Sequence, residues 1–222
     1  MVAAADPGGT AVSGARDAIL GAVRHATARM APPDEAEPPA TYRRDLGLPP
    51  AALLDRFADR LADYDVTVLR VAAAEIAATA AAQLAGRGVR TLLVPPDLPE
   101  AWRPSGPTLV ADSGQPARAL NEIDGVMAGC AVGVAESGTI VLDAGPGQGR
   151  RAVTLLPDYF LCVVLARQVV GLLPEAMPRL RPAIDARRPL TFVSGPSATA
   201  DIELNRVKGV HGPRTLDVIL AE

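Results

Sequence analysis

A chain of 222 residues, 49% hydrophobic and 21% charged, is long enough to bury roughly 70% of the surface it exposes when unfolded and has an ordinary globular composition. Its 22 basic and 25 acidic residues leave a formal net charge of −3, and no Lys/Arg stripe interleaves with aromatics, which argues against nucleic acid as a partner. Cys130 and Cys162 sit in apolar company without a C-x-x-C spacing. They read as buried reduced thiols that hold no iron–sulfur cluster and no zinc from this chain alone. Met1–Thr10 lacks a basic start and an apolar stretch, and the longest apolar run, Leu161–Leu173, is broken by Arg167-Gln168. The expectation is a cytoplasmic protein with no signal peptide and no membrane span.

Residues 1–12 are small and polar and read as a frayed end. Ile19, Leu20 and Val23 recur at helical spacing and predict a first helix over Ala15–Arg29, with His25 on its solvated face. Ala31–Pro50 contains Pro32, Pro33, Pro38, Pro39, Pro49 and Pro50, which predicts an extended connector. Residues 1–50 are thus an arm that packs on the body or on a neighbouring subunit, which leaves a homo-oligomer open. Residues 51–222 form the main domain.

From Pro50 an alternation begins. Leu53, Leu54, Phe57 and Leu61 make one helical face, Val66–Arg70 is a β-branched strand, and Ala72–Leu84 is an Ala-rich helix stopped near Gly86 and Gly88. Val89–Val94 and Thr108–Ala111 are further strands. This order predicts an α/β fold with a mostly parallel sheet flanked by helices. Beyond Gln115 come short apolar runs at Val126–Val134 and Thr139–Leu142, a turn-rich loop Asp143–Gly149, then Val153–Leu156, Leu161–Ala166 and Val169–Leu173. A short helix over Pro174–Leu180, a strand Leu190–Val193, a helix Thr199–Val207 and a strand Leu216–Leu220 complete the pattern.

The densest chemistry lies in Leu190–Pro213. An apolar run stops at Ser194-Gly195-Pro196-Ser197 and a helical pattern follows, which would place free N–H groups and a positive dipole end beside the turn. Ser194, Ser197 and Thr199 add hydroxyls, so the turn is a candidate cradle for a small anionic metabolite; the alternative is a turn that only caps a helix. Asp201 and Glu203 suit the first turns of that helix, and Asp201 is also a candidate to orient His211. That histidine stands between Val210 and Gly212 with an unobstructed backbone. Asp143–Arg151 is Gly-rich with two arginines, Arg150 and Arg151. It reads as a surface loop, or as a phosphate or carboxylate site with both arginines as lid contacts. It matches neither a Walker A loop nor G-x-G-x-x-G.

Four segments together, Ala135-Glu136-Ser137-Gly138-Thr139-Ile140, Leu155-Leu156-Pro157, Ser194–Glu203 and Gly209-Val210-His211-Gly212-Pro213, resemble the LUD-domain proteins. The likeness runs from about Leu53 to the C-terminus and is greatest for the short, C-type lactate utilization members, which lack iron–sulfur cysteine motifs. The resemblance implies a fold like the NagB/RpiA/CoA transferase group. It also implies an accessory role beside two iron–sulfur partner subunits in oxidising L-lactate to pyruvate, with no cofactor in this chain. In the CoA-transferase relatives an acid shortly before a glycine is a nucleophile, and Glu136-Ser137-Gly138 looks similar, since a carboxylate can attack an acyl group. Glu136 is therefore a candidate nucleophile, a ligand or partner contact, or a turn residue. Ser137, Gly138 and Thr139 are candidate ligand contacts beside it, and no metal site is expected. Two other functions remain: a CoA-transferase-like or phosphometabolite enzyme using Glu136, and a metabolite-sensing module.

Overall fold

The computed structural model describes residues 9–28, 42–200, 206–209 and 211–222. The chain divides into two units, residues 1–42 and 43–222. In the first, helix α1 (Gly9–Thr27) ends with Arg24 and His25 in its last turn, where cations suit the helix dipole, and leaves Ile19, Val23 and His25 exposed.

The second unit opens with α2 (Pro50–Ala62), whose first residue is proline, a residue whose fixed φ suits that position. Its apolar stripe Leu54, Phe57 and Leu61 is buried, as the 3.6-residue spacing predicts. Strand β1 (Thr67–Val71), helix α3 (Ile76–Gly86), strands β2 (Thr91–Val94) and β3 (Thr108–Ala111), the short helix α4 (Ala117–Leu120) and strand β4 (Gly125–Gly129) follow. Then come β5 (Val132–Val134), β6 (Thr139–Leu142), β7 (Tyr159–Leu165), β8 (Val169–Val170), α5 (Leu173–Asp185), β9 (Thr191–Val193), β10 (Ala198–Ala200), β11 (Arg206–Lys208) and β12 (Thr215–Ala221).

Six strands form one sheet in the order β1-β12-β7-β4-β2-β3, every neighbouring pair parallel. A parallel sheet must be covered on both faces. Along β7 the side chains alternate: Phe160, Cys162 and Val164 join the core beneath α2, while Leu161 and Val163 join Ile76, Ala80 and Leu84 of α3. A second sheet, β8-β5-β6-β9, lays Ile140 and Leu142 into the α2 core and turns Val132, Val134 and Val141 towards α5. The expected α/β architecture with a parallel sheet flanked by helices is present. Among the described residues no helix is long and apolar enough to cross a membrane.

Three expectations change. The first helix, expected over Ala15–Arg29 after a frayed end at residues 1–12, begins at Gly9 and ends at Thr27. The helix predicted over Pro174–Leu180 runs to Asp185 despite Pro178 and Pro182 inside it, because Ala176, Leu180 and Ala183 are buried on one face. Tertiary packing outweighs the backbone bonds that the prolines remove. More important for function, among the described residues no helix follows the Ser194–Ser197 turn. The described parts of 199–207 are strands of an antiparallel hairpin, with Ala198 opposite Lys208, Thr199 opposite Val207 and Ala200 opposite Arg206. The Ser197 N–H donates to the Pro213 carbonyl, and the Ser197 carbonyl accepts from the Gly209 N–H, both at 2.8 Å, so extended pairing begins at the turn itself. The β-branched pair Thr199 and Val207 suits a ladder. The helix-dipole reading of this turn therefore falls.

Candidate functional site

Strands β5 and β6 are joined by Ala135–Gly138, between the paired residues Val134 and Thr139. Gly138 adopts φ +63° and lies on the backbone of α2: a Cβ there would meet the Arg60 carbonyl carbon at 2.8 Å. Only glycine fits that approach. Because β6 pairs antiparallel with β9, Ile140 opposite Val193, the next residues outward, Thr139 and Ser194, become neighbours. Their hydroxyl oxygens are 2.8 Å apart, and the Ser137 hydroxyl stands 2.7 Å from that of Thr139. Two motifs far apart in sequence thus share one chain of hydroxyls.

Beyond Ser194 the backbone turns at Gly195, φ +94°, where a Cβ would meet the Tyr64 Cβ at 2.6 Å. This second glycine lets the turn press against the end of α2. Ser197 then fastens the turn to the segment carrying His211: its Oγ accepts the His211 N–H at 2.9 Å. The imidazole is exposed, on a backbone held from behind.

These pieces border a cavity of about 370 Å³ whose lining includes the polar Ser194, Ser197, His211, Arg151, Thr154 and Thr191 and the apolar Leu155, Phe160, Val193 and Leu216. Among the described residues no acidic residue lines it. Arg151 is exposed, and its guanidinium makes no hydrogen bond or ion pair with the described residues. Among the described residues a free guanidinium, an imidazole, several hydroxyls and apolar side chains share this lining, a combination that suits a small carboxylate with an aliphatic body.

The other candidates lie elsewhere. Glu136 is exposed; its Oε1 accepts from Arg43 Nη2 at 2.7 Å, and it is not among the lining residues. Ser137, Gly138 and Thr139 stand behind Ser194. Gly195 and Pro196 belong to the cavity wall. Arg150 is engaged: Nε and Nη2 bond Asp112 at 2.9–3.0 Å, and Nη2 also donates to the Gln115 carbonyl at 2.6 Å. Hydrogen bonding to Asp112, against the opposing effect of burial, raises the Arg150 pKa above its usual value. Arg150 lines a different basin. Thr199 lies on β10, and Asp201 and Glu203 lie outside the described residues.

Sequence reasoning missed Thr154, Thr191, Phe160 and Leu216. Thr154 lies in a 3-10 turn, Arg151–Thr154, and the two apolar residues open β7 and β12; nothing local marks them, because only the folded sheet brings their segments together. A third depression, at the amino ends of β2, β4, β7 and β12, is walled in part by charges already in use. There Arg87 pairs with the fully buried Asp217, which also accepts from Gln83 and Tyr159, and Asp124 accepts the N–H groups of Arg90 and Thr91.

Comparison with known proteins matches this architecture to a family. The LUD domain family model matches residues 54–221. A protein from Deinococcus radiodurans named lactate utilization protein C is 42% identical over 84% of this chain and 86% of its own length. Another of that name, from Halalkalibacterium halodurans, is 42% identical over 40% of each chain. A crystal structure of a DUF162 family protein from Deinococcus radiodurans superposes with a TM-score of 0.70 at 36% identity, covering 79% of this chain and 99% of that one. The chain belongs to the LUD-domain family.

Proposed function

We propose that the chain is an accessory component of a lactate-utilization system and that its Ser194–His211 cavity binds a small carboxylate, L-lactate or pyruvate. The observation that carries the reading is the Arg151 guanidinium, unpaired among the described residues, in a cavity whose described lining holds no acid. A carboxylate there gains a charge-assisted partner able to bind it through two donors, with no competing anion among the described lining residues. The hydroxyl chain adds polarity with a direction. When Ser137 donates to Thr139 and Thr139 to Ser194, the Ser194 proton is free for the ligand. Leu155, Phe160, Val193 and Leu216 receive the methyl end. The names of the relatives support the assignment to lactate metabolism.

Oxidising lactate to pyruvate removes two electrons and two protons, and we assign their transfer to partner subunits carrying iron–sulfur clusters, with this chain presenting or sensing the acid. Glu136, paired with Arg43 outside the cavity, is assigned to the hairpin and its surface rather than to acyl transfer.

The test has a cellular and a molecular arm. A strain lacking the gene should fail to grow on L-lactate, and normal growth overturns the process. Calorimetry with the full chain should detect L-lactate or pyruvate, and Arg151→Ala should weaken binding by about tenfold or more, the scale of a lost hydrogen bond to a charged group. Absence of heat with both acids overturns the binding assignment.

A further inference from the structure

We infer a second ligand site, for a phosphate ester that carries hydroxyl groups, in the basin at the carboxyl ends of β2, β3 and β4. In the order β1-β12-β7-β4-β2-β3 the chain leaves β2 towards β3 on one side and leaves β4 towards β7 on the other. The connections diverge between β2 and β4, and a crevice outside the carboxyl ends at such a reversal is where open parallel sheets bind ligands. A basin of about 480 Å³ opens there, and it shares no lining residue with the carboxylate cavity.

The loop Asp143–Gly149 is tied across this crevice. Its Gly147 carbonyl accepts from the Gly129 N–H at the end of β4 at 2.8 Å, and the Gly147 N–H donates to Asp97, just beyond β2, at 2.9 Å. The loop is also held from within. The buried Asp143 accepts from the Gly145 N–H, the Gln148 amide and Arg188 Nη2 at 3.0, 2.6 and 2.9 Å. Between Asp143 and Gly145, Ala144 adopts φ +51°, a conformation that is strained for a non-glycine residue and gathers at ligand clamps.

Two guanidiniums face the basin, each fixed by a carboxylate. Arg150 is bound by Asp112 through Nε and Nη2, which leaves Nη1 unengaged. Arg188 is bound by Asp143 through Nη2 alone, and its Nε is buried with no acceptor among the described residues. Two oriented arginines with donors to spare form a fork for a tetrahedral anion. The acids nearby select further. Asp97 and Asp112 line the basin with Arg150 and Arg188, and the buried Asp143 stands behind Arg188, so a bare anion meets no net positive wall. Asp97 is exposed, and only its Oδ2 is engaged, so its other oxygen is available to accept a hydroxyl. A ligand that offers phosphate to the arginines and a hydroxyl to Asp97 satisfies both demands: a sugar phosphate or a nucleotide.

The test is a titration of the ¹⁵N-labelled full chain, followed at the amides of Gly145, Gly147 and Gly149, with ribose 5-phosphate, AMP, inorganic phosphate and ribose. Ribose 5-phosphate or AMP should shift these amides, with inorganic phosphate and ribose each weaker by about tenfold or more. AMP binding above ribose 5-phosphate points to a nucleotide, and equal binding points to the sugar phosphate. Arg188→Gln should weaken the better ester by about tenfold or more. Because that change disturbs the Asp143 cluster, Asp97→Asn is the second variant: it can still accept the Gly147 N–H, and it should erase the advantage of ribose 5-phosphate over inorganic phosphate. The inference is overturned if no ester shifts Gly145–Gly149, if shifts fall only at Gly195 and His211, or if Asp97→Asn leaves the preference intact. L-lactate reports at Gly195 and His211, so failure of one site is distinguishable from failure of the other.

Discussion

Arg150 and Arg151 are neighbours in the chain and enter two cavities in opposite conditions. The Arg150 guanidinium is clamped by Asp112 and the Gln115 carbonyl; that of Arg151 has no partner among the described residues. The same contrast separates the basins. At the carboxyl ends of β2–β4 each arginine is bound to a carboxylate and the loop geometry is over-determined. Beside Ser194 and His211 the cation is loose and the neighbouring groups are neutral hydroxyls. A guanidinium bound to a carboxylate acts as a strut, and any ligand must use its remaining donors. An unbound one in a cavity without acids acts as a receptor, at the cost of contributing little to the fold.

The largest effect should come from removing a strut. Asp143→Ala takes away the acceptor for three donors and leaves Arg188 without its counter-charge. The expected loss is about 3 kcal/mol in urea unfolding, the scale of leaving a charge and its hydrogen-bonding neighbours unsatisfied. A loss below about 1 kcal/mol would mean the loop is held by other contacts and the contrast between the cavities is wrong. Gly138→Ala comes next. Its Cβ would press on the Arg60 backbone in a positive-φ conformation, and the expected cost is about 1–3 kcal/mol, since backbone on both sides must give way. Because this hairpin sets Thr139 against Ser194, the variant should also weaken L-lactate binding, read by calorimetry.

The parts of this molecule that were legible in the sequence are those governed by local pattern. The Leu54–Phe57–Leu61 stripe, the β-branched run before Arg70 and the long apolar run that became β7 declare their elements through spacing alone. The Ser194–Ser197 turn was legible as a feature but misread in context, because a strand and a helix can both follow such a turn. What decided between them was Pro213, which takes the Ser197 N–H. A pairing partner so distant in sequence is invisible to periodicity. The same holds for the site. His211, Ser194 and Ser197 stand out because small residues and a rare histidine cluster in the chain. The division of labour between Arg150 and Arg151 does not, because it depends on Asp112 reaching across 38 residues. Thr154 and Thr191 enter the wall for the same non-local reason.

Acid titration separates framework from site in another way. Burial alone would raise the Asp124 pKa, but the N–H groups of Thr91 and Arg90 and the Thr91 hydroxyl more than offset it and hold the carboxyl below its usual value. A folded pKa below the unfolded one, about 3.9, means that the stabilisation is complete above that value and is lost as pH falls through the folded pKa. Urea midpoints should therefore drop more steeply below about pH 4 in the wild type than in Asp124→Asn. Equal slopes would place the acid sensitivity in other carboxylates.

The smallest effect on stability should belong to the residue with the largest effect on lactate binding. Arg151 is exposed and its guanidinium engages none of the described residues, so Arg151→Ala should move stability by no more than about 0.5 kcal/mol in urea unfolding. A strut cannot behave this way: removing it strands the partner that held it. A receptor must, because its interaction energy is realised only when the ligand arrives. The two readouts are therefore coupled. If Arg151→Ala unfolds the chain by more than about 1 kcal/mol, the guanidinium has a structural partner and the cavity loses its free charge. If stability is unchanged while added L-lactate no longer raises the melting temperature, the positive charge in this wall is there for the ligand.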